Sequence, residues 1–426
     1  MSRFRSFISN KNFLLLWIGQ IVSQFGDRLN QMALIAFIFK RAPGSTFELA
    51  KLIALTIIPV FLIGPIAGIY VDRWDRRRTM YICDLVRAVL VVSIPLFLMH
   101  LNSLIPLYLA VFLIFCLSRF FVPAKMSIIP DLVKKEDLLM ANSLVHTTGM
   151  IAAAMGFGIG GVIVEIVGAK GGFYLDAATF FISGVLIFFV STKIGLKVKA
   201  KEVLKVGKEI VEVIRKSILE ELNAVFVFLR KQEKIKSVLN ILFILWAVLG
   251  SVYVVVIVFI QRVFTSVVKD LGVLAVFLGC GLFFGSIVYG KLGKKITYFK
   301  AIFLSLVIAG LVLIGFTVTS YHFINFSLAA ILSFVLGASI SPIMIASNTL
   351  VHELTENEMR GKIFTAIEIV THAAFLSFMF ITSGLAEYIG QFSILIIVGV
   401  FAVMVGIIGM LKKDDKVIRK QRAHRT

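Results

Sequence analysis

The chain of 426 residues is 59% hydrophobic and 16% charged, with a mean hydropathy of +0.97 and a net charge of +20. A soluble domain carries about 25% charged residues, so a water-soluble fold is excluded and lipid is the medium this chain is made for. The excess of Lys and Arg does not indicate nucleic acid, because no basic surface interleaved with aromatic side chains accompanies it.

Runs of roughly 20 apolar residues cross a bilayer as helices, which satisfy their own backbone hydrogen bonds there. Twelve such runs are predicted, making an all-α membrane protein: 12–39, 47–71, 79–100, 103–129, 139–166, 172–192, 237–261, 270–290, 297–319, 322–352, 361–388 and 391–411. The basic residues Arg3, Arg5 and Lys11 precede the first run. That run continues to Phe39 without a small-residue cleavage site, so it is read as a retained span and not a signal peptide.

Span 1 carries Asp27 and Arg28 near its middle, flanked by Gln20, Ser23, Gln24, Asn30 and Gln31. Ionisable groups at membrane depth are costly and mark function by default. Asp27 shares a helical face with Ser23, Gln20 and Gln31. The stripe is expected to face an aqueous cavity, with Asp27 the first candidate for a coupling proton. Gln20, Ser23, Gln24, Arg28 and Gln31 are the cavity candidates. A structural Asp27–Arg28 lock is the alternative.

Between spans 2 and 3 lies Gly68-Ile-Tyr-Val-Asp72-Arg73-Trp-Asp75-Arg76-Arg77-Arg78. Asp72 at the end of span 2 can complement the dipole at the start of a nearby helix. The arginines can pair with carboxylates or lipid phosphates, contacts that form in one access state and break in the other. Gly68, Asp72, Arg73, Asp75, Arg76 and Arg77 are therefore assigned to a gate latch, with a charge cluster that only sets topology as the alternative. Asp84 and Arg87, one turn apart on span 3, are expected to lock spans near the hairpin, with Arg119 of span 4 joining them.

Span 5 holds His146 and Gly156-Phe-Gly158-Ile-Gly160-Gly161. The glycines fit a dinucleotide pattern, yet they follow no strand, so Gly156, Gly158, Gly160 and Gly161 are read as a surface for close helix packing. Glu165 and Asp176 are placed at the ends of spans 5 and 6. Residues 193–236 are Lys-rich but space Val203, Val206, Ile210, Val213, Ile214 and Ile218 as on one helix face, which suits a basic amphipathic helix on the membrane surface or a solvated tether.

In the second half, Gly285-Ser-Ile-Val-Tyr-Gly290-Lys291-Leu292 ends without the Ser or Thr of a phosphate-binding loop. Glu368 and His372 sit one turn apart on span 11; with His146 they are further proton-coupling candidates, histidine being the side chain that titrates near neutrality. Cys83, Cys116 and Cys280 stand singly, with no metal-ligand spacing. No metal, nucleotide or other cofactor is expected.

With the N-terminus inside, the cytoplasmic segments collect 34 of the 44 Lys and Arg, against six in the outer loops (Lys40, Arg41, Lys51, Lys170, Arg262 and Lys269). This positive-inside asymmetry places both termini in the cytoplasm, and the basic stretches attract anionic lipid. The chain also repeats at an offset of about 220 residues. Asp131–Glu136 is echoed by Glu353–Glu358, Glu165-Ile-Val-Gly168 by Glu387-Tyr-Ile-Gly390, and the hairpin, weakly, by Gly290–Lys295; His146 falls at the position related to Glu368. Two homologous six-span halves follow, 1–192 and 237–412, joined by 193–236 and followed by a basic tail, 413–426. Such repeats characterise transporters that alternate access around a central site.

The hairpin resembles the Gly-x-x-x-Asp-Arg-x-Gly-Arg-Arg signature of the major facilitator superfamily. Phe13–Asp27, Pro123-Ala124, Ile129–Val133, Ala141–Ser143 and Phe173–Phe180 resemble its macrolide-efflux-like branch of proton-driven drug exporters. The resemblance implies a twelve-helix fold, a rocker-switch cycle, the proton gradient as energy source and export of an amphipathic compound. It also implies that Asp72, Arg73 and Arg76 steady the outward-open state. Three positions depart from the pattern: Asp75 replaces the second glycine, Gly290 stands in place of the acid in the second-half echo, and Phe157 replaces a proline after Gly156. Siderophore exporters and lysophospholipid flippases share the branch resemblance, and a non-transporting receptor or scaffold would need the 193–236 segment as its active part. The expectation is thus a transporter of the cytoplasmic membrane, not an enzyme, working as a monomer on a small-molecule substrate among membrane lipids.

Overall fold

A computed structural model describes residues 10–71, 74–191, 233–293, 296–354 and 360–411, and among these every long element is an α-helix. They are α1 (Lys11–Arg41), α2 (Thr46–Val71), α3 (Arg76–Leu96), α4 (Ile105–Leu132), a continuous run Leu138–Phe188, α7 (Glu233–Phe264), α8 (Lys269–Leu292), α9 (Tyr298–Phe323), α10 (Phe326–Leu354), α11 (Arg360–Ile389) and α12 (Gln391–Leu411). The long run is two helices meeting at Gly168, whose φ of 74° and ψ of 169° are not helical. Residues 138–167 are α5 and 169–188 are α6, which completes twelve. Ten described segments are long and apolar enough to span a membrane, one of them the α5–α6 run. Helix α1 falls outside that group because its polar stripe dilutes the apolar sequence.

Caps decide several boundaries. Helix α3 begins three residues before the predicted span because the Asp75 carboxylate accepts from the Arg78 N–H at 2.9 Å, an N-cap. Asn10 caps α1, accepting from Phe13 N at 3.2 Å, and its amide donates to Leu132 O at the end of α4 at 2.7 Å. The turn predicted at 320–321 lies instead at Ile324, which adopts φ 48°, and Asn325 accepts from Leu328 N at 3.0 Å to start α10. Gly168 and Gly390 both take positive φ, 74° and 84°, and they are 222 residues apart. The echoed Glu-x-x-Gly stretch is therefore a helix C-terminus built twice, with glycine supplying the left-handed residue.

The described residues divide into two compact units. Unit 1 takes the described residues within 10–43, 51–191 and 267–272; unit 2 takes those within 44–50, 233–266 and 273–411. The division thus departs from the predicted halves by two short segments, each the opening turn of a helix. Within unit 1, α1 packs along α5 and α6, and α3 packs on α4 and on the same α5–α6 run; unit 2 pairs α7 with α11 and α9 with α10 and α12. One packing scheme serves both units. Phe13, Leu16, Val71, Met80, Phe121, Ile128 and Val190 form the core of unit 1 near the 74–78 turn, while Leu245, Ile302, Leu306 and Ile343 do so in unit 2. The linker between 192 and 232 and the tail from 412 lie outside the described residues.

Candidate functional site

Helix α1 brings its polar stripe against two partners. Gly149, Gly156 and Gly160 of α5 let Gln24, Arg28 and Leu29 approach, so closely that a methyl group on Gly156 would sit 2.7 Å from Arg28 Cβ. Gln24 donates to Gln20 at 3.1 Å and Arg28 to Gln31 at 3.1 Å. The Arg28 guanidinium lies 5.0 Å from the centre of the Phe157 ring, so the residue that replaces proline provides a cation–π face. Arg28 therefore pairs with Gln31 and Phe157, and the contact of Asp27 is made elsewhere. Gln20 and Ser23 are buried, as is Gly158.

That contact is with Arg87 of α3. Its Nη1 is 4.0 Å from Asp27 Oδ1 and 3.2 Å from Ser118 Oγ, while Nη2 donates to Asp84 Oδ1. Asp84 is wholly buried and also accepts from Ser183 Oγ of α6 at 2.6 Å. The guanidinium lies over the Phe121 and Phe180 rings, 4.7 and 4.3 Å from their centres. A cation held by two rings, a carboxylate and a hydroxyl repays much of the cost of burial. Asp84 and Arg87, expected to lock spans near the hairpin, do tie α3 to α6 and α4, through Ser183 and Ser118; the structure also puts them in one cluster with Asp27 of α1. Arg28, Arg119 and Lys125 are near enough for their charges to act on Asp27.

Asp176 is not the helix-end contact that its position in the sequence suggests. It is fully buried within α6, with Oδ1 accepting from Thr179 Oγ1 at 3.2 Å and Oδ2 without a hydrogen-bond partner. Its near neighbour is Gly26, where a methyl group would lie 2.6 Å from Asp176 Oδ1, and the charge of Asp27 acts on it. Sequence reasoning passes over Ser183, Ser118 and the two rings; their spacing carries no signal until α6 and α4 are folded onto α3. One signal is present in the chain. At the 222-residue offset Asp27, Asp84, Arg87, Asp176 and Ser183 correspond to Leu249, Leu306, Ala309, Val398 and Val405, so the ionisable cluster has no counterpart in the second half.

Thr179 also lines an apolar cavity of about 380 Å³ between α1, α5 and α6, together with Ile21, Val22, Phe25, Thr148, Ile151, Ala152 and Met155. The five polar residues assigned to a cavity do not line this one. Gln24 and Arg28 meet α5, and they bond along α1 to Gln20 and Gln31, while Ser23 is buried.

At the 74–78 turn, Arg76 Nη1 donates to Asp131 at 2.8 Å and to Ser127 O at 2.9 Å, tying the start of α3 to the end of α4. Arg77 donates to Val190 O at 2.9 Å, beyond the end of α6. Trp74 lies against Tyr70 and Phe120, 5.5 and 5.8 Å between ring centres. Gly68 is near the end of α2, while Asp72 and Arg73 lie outside the described residues. Asp75, assigned to the latch for its charge, gives one carboxylate oxygen to its own helix as the N-cap; the other is 3.7 Å from Arg78. The repeat keeps the α3–α4 bond with a different donor: Tyr298 Oη donates to Glu353 at 2.6 Å, and positions 298 and 353 are 222 residues beyond 76 and 131. This register matches Gly290 to Gly68 and puts a lysine opposite Asp72, so the echo lacks the acid at that point.

Glu368 and His146 are exposed; the first belongs to unit 2 and the second to unit 1. His372 Nδ1 is 2.9 Å from Glu368 O, and its ring stacks on Trp246 at 5.8 Å. A hydrogen bond to the helix backbone and an aromatic neighbour hold this histidine in its packing.

Residues 16–329 match the Major Facilitator Superfamily. The chain is similar to the uncharacterized MFS-type transporter YfiS of Bacillus subtilis (strain 168), with 24% identity over 96% of this chain and 94% of that protein. Over a shorter stretch, 30% of this chain and 31% of the relative, it is 33% identical to macrolide efflux protein A of Streptococcus pyogenes. Its fold is similar to that of the nucleoside transporter NupG, with a TM-score of 0.73 and 13% identity over 94% of this chain and 99% of that one. A bacterial homologue of the iron transporter ferroportin, in its inward-facing state, gives a TM-score of 0.71 at 15% identity over 94% and 98% of the two chains. Twelve helices among the described residues, in two repeated sets of six, a charged turn between the second and third, and a match over most of the length lead to one conclusion: the chain belongs to the Major Facilitator Superfamily, and it is a multi-pass membrane transporter and not an enzyme.

Proposed function

We propose that this protein exports amphipathic or lipophilic small molecules across the cytoplasmic membrane, driven by protons moving inward, with both termini in the cytoplasm. The observation that carries the reading is the Asp27–Arg87–Asp84 cluster. A cation pinned by Phe121, Phe180 and Asp84 stays in place whichever state Asp27 is in. The side chain of Asp27 is 42% exposed whereas those of Asp84 and Arg87 are 0% and 2% exposed, so Asp27 is the member that water and protons reach. Deprotonated, it is attracted to Arg87; protonated, it releases that attraction, and the balance between access states shifts by the difference. The apolar cavity beside it suits a lipophilic cargo, in keeping with the partial likeness to a macrolide efflux protein.

The test uses sealed proteoliposomes with an imposed pH gradient and a panel of drugs. Asp27→Asn is expected to abolish gradient-driven export while leaving downhill exchange of the same compound. Export that survives in the variant removes Asp27 from the coupling role.

A second reading, flipping of lysolipids, draws on the cavity wall. Ile151 and Met155 line the cavity and are also 52% and 49% exposed, which gives an acyl chain a lateral way in. Lysolipid translocation that persists when the gradient is collapsed would favour it.

A further inference from the structure

The ends of α5 and α11 carry the same contact, made twice. In unit 1, Glu165 of α5 accepts from the backbone N–H groups of Val267, Val268 and Lys269, at 3.2, 2.8 and 3.1 Å. Those residues open α8. In unit 2, Glu387 of α11 accepts from Ser45 Oγ at 2.6 Å and from Phe47 N at 3.2 Å, which open α2. Every position corresponds: 165 to 387, 45 to 267 and 47 to 269 are all separated by 222 residues. A carboxylate at a helix start meets both the unpaired N–H groups and the positive end of the dipole. Here the carboxylate comes in each case from a helix remote in sequence.

The opening turns concerned are the two segments that depart from the sequence halves. Residues 267–272 belong to unit 1 although the remainder of α8 belongs to unit 2, and residues 44–50 belong to unit 2 although the remainder of α2 belongs to unit 1. Further bonds surround each. Thr46 Oγ1 donates to Ser383 O at 2.7 Å, and Arg262 bridges Gln391 Oε1 at 2.9 Å and Gly44 O at 3.3 Å. Gly161 of α5 lets the other segment come close: a methyl group there would lie 2.8 Å from Val268 O and 3.1 Å from Gly272 Cα.

We propose that Glu165 and Glu387 are a matched pair of clasps, holding the start of α8 on α5 and the start of α2 on α11, and that both let go when the transporter opens at the end away from the 74–78 turn. The inference rests on the alternating-access reading but not on the identity of the cargo or the coupling ion. The two clasps are not equal. Ser45 Oγ also accepts from Glu48 N at 3.2 Å, so α2 keeps its own cap when Glu387 leaves, whereas Glu165 takes three N–H groups of its segment. Glu387, which is exposed, is the one to release first.

The test is a distance measurement by pulsed electron resonance on the full-length protein in nanodiscs, with native cysteines replaced and spin labels at positions 170 and 388, both exposed and outside the two contacts. Glu387→Gln is expected to raise the long-distance fraction, and Glu165→Gln with Glu387→Gln to raise it by roughly tenfold or more, the scale set by losing a hydrogen bond to a charged group. Glu165→Asp, which retains the charge, separates loss of the clasp from damage to the fold, as does an unchanged melting temperature. An unaltered distance distribution in a folded double variant overturns the proposal. Because this measurement needs neither substrate nor gradient, its failure is distinct from failure of proton-coupled export.

Discussion

Arg87 faces Asp27 at 4.0 Å while its other terminal nitrogen is committed to Asp84. The two acids therefore hold unequal claims on one guanidinium. Asp84 shares it in a fully buried pair backed by Ser183, and Asp27 meets it from a partly exposed position on α1. A static lock and a movable partner are combined around one cation.

Removing the cation should be far worse than removing the pair. Arg87→Leu leaves Asp84 buried without a counter-charge, a loss on the order of 3–5 kcal/mol. The double variant Arg87→Leu with Asp84→Leu should recover much of that loss. Thermal unfolding of the purified variants in one detergent checks it; equal melting temperatures for the single and double variants would contradict the pairing.

Asp75 occupies the position where the family signature has glycine, and it caps α3. Asp75→Ala is expected to cost about 0.5–2 kcal/mol, whereas Asp75→Gly should cost only a few tenths and Asp75→Asn still less. A melting-temperature series across the three variants reads this order. The reverse order, with Asn as damaging as Ala, would mean that the charge toward Arg78 matters and the cap does not.

Arg76–Asp131 and Tyr298–Glu353 are the same bond with different donors. The first is a partly exposed ion pair worth roughly 0.2–1 kcal/mol and weakened by salt. Double-mutant cycles with Arg76→Gln/Asp131→Asn and Tyr298→Phe/Glu353→Gln should therefore show a coupling that falls with ionic strength in the first case and much less in the second.

A methyl group on Gly64 would meet no atom within 4 Å, in contrast to one on Gly161. Gly64→Ala is expected to leave stability unchanged or raise it by about 0.4–1 kcal/mol, and Gly161→Val to abolish the close contact with residues 267–272. Expression and thermal stability of the two variants, measured side by side, decide whether close approach at α5 is required.

Much of this architecture is legible in the chain. Apolar run lengths mark twelve helices, and the echoes of Asp131 in Glu353 and of Glu165 in Glu387 reveal the repeat. What the echoes do is not legible. Glu165 reads as an acid near a helix end, and nothing local tells that its partners are the N–H groups of residues a hundred positions away. Asp84 and Arg87 are legible as an i, i+3 pair that ties spans, yet spacing alone does not join them to Asp27, since the side of α3 that meets α1 is set by packing. Asp176 looks terminal because the break between α5 and α6 is a single glycine and not a loop.

The sequence by itself determined the medium, the number of helices and the two-fold internal repeat, because hydropathy, run length and self-similarity are read along the linear chain without knowing which helices touch. Only the tertiary structure decided which charges share a cluster and which carboxylates hold which helix starts. Those contacts join residues far apart in sequence, and their energy depends on burial, distance and geometry that no spacing rule contains.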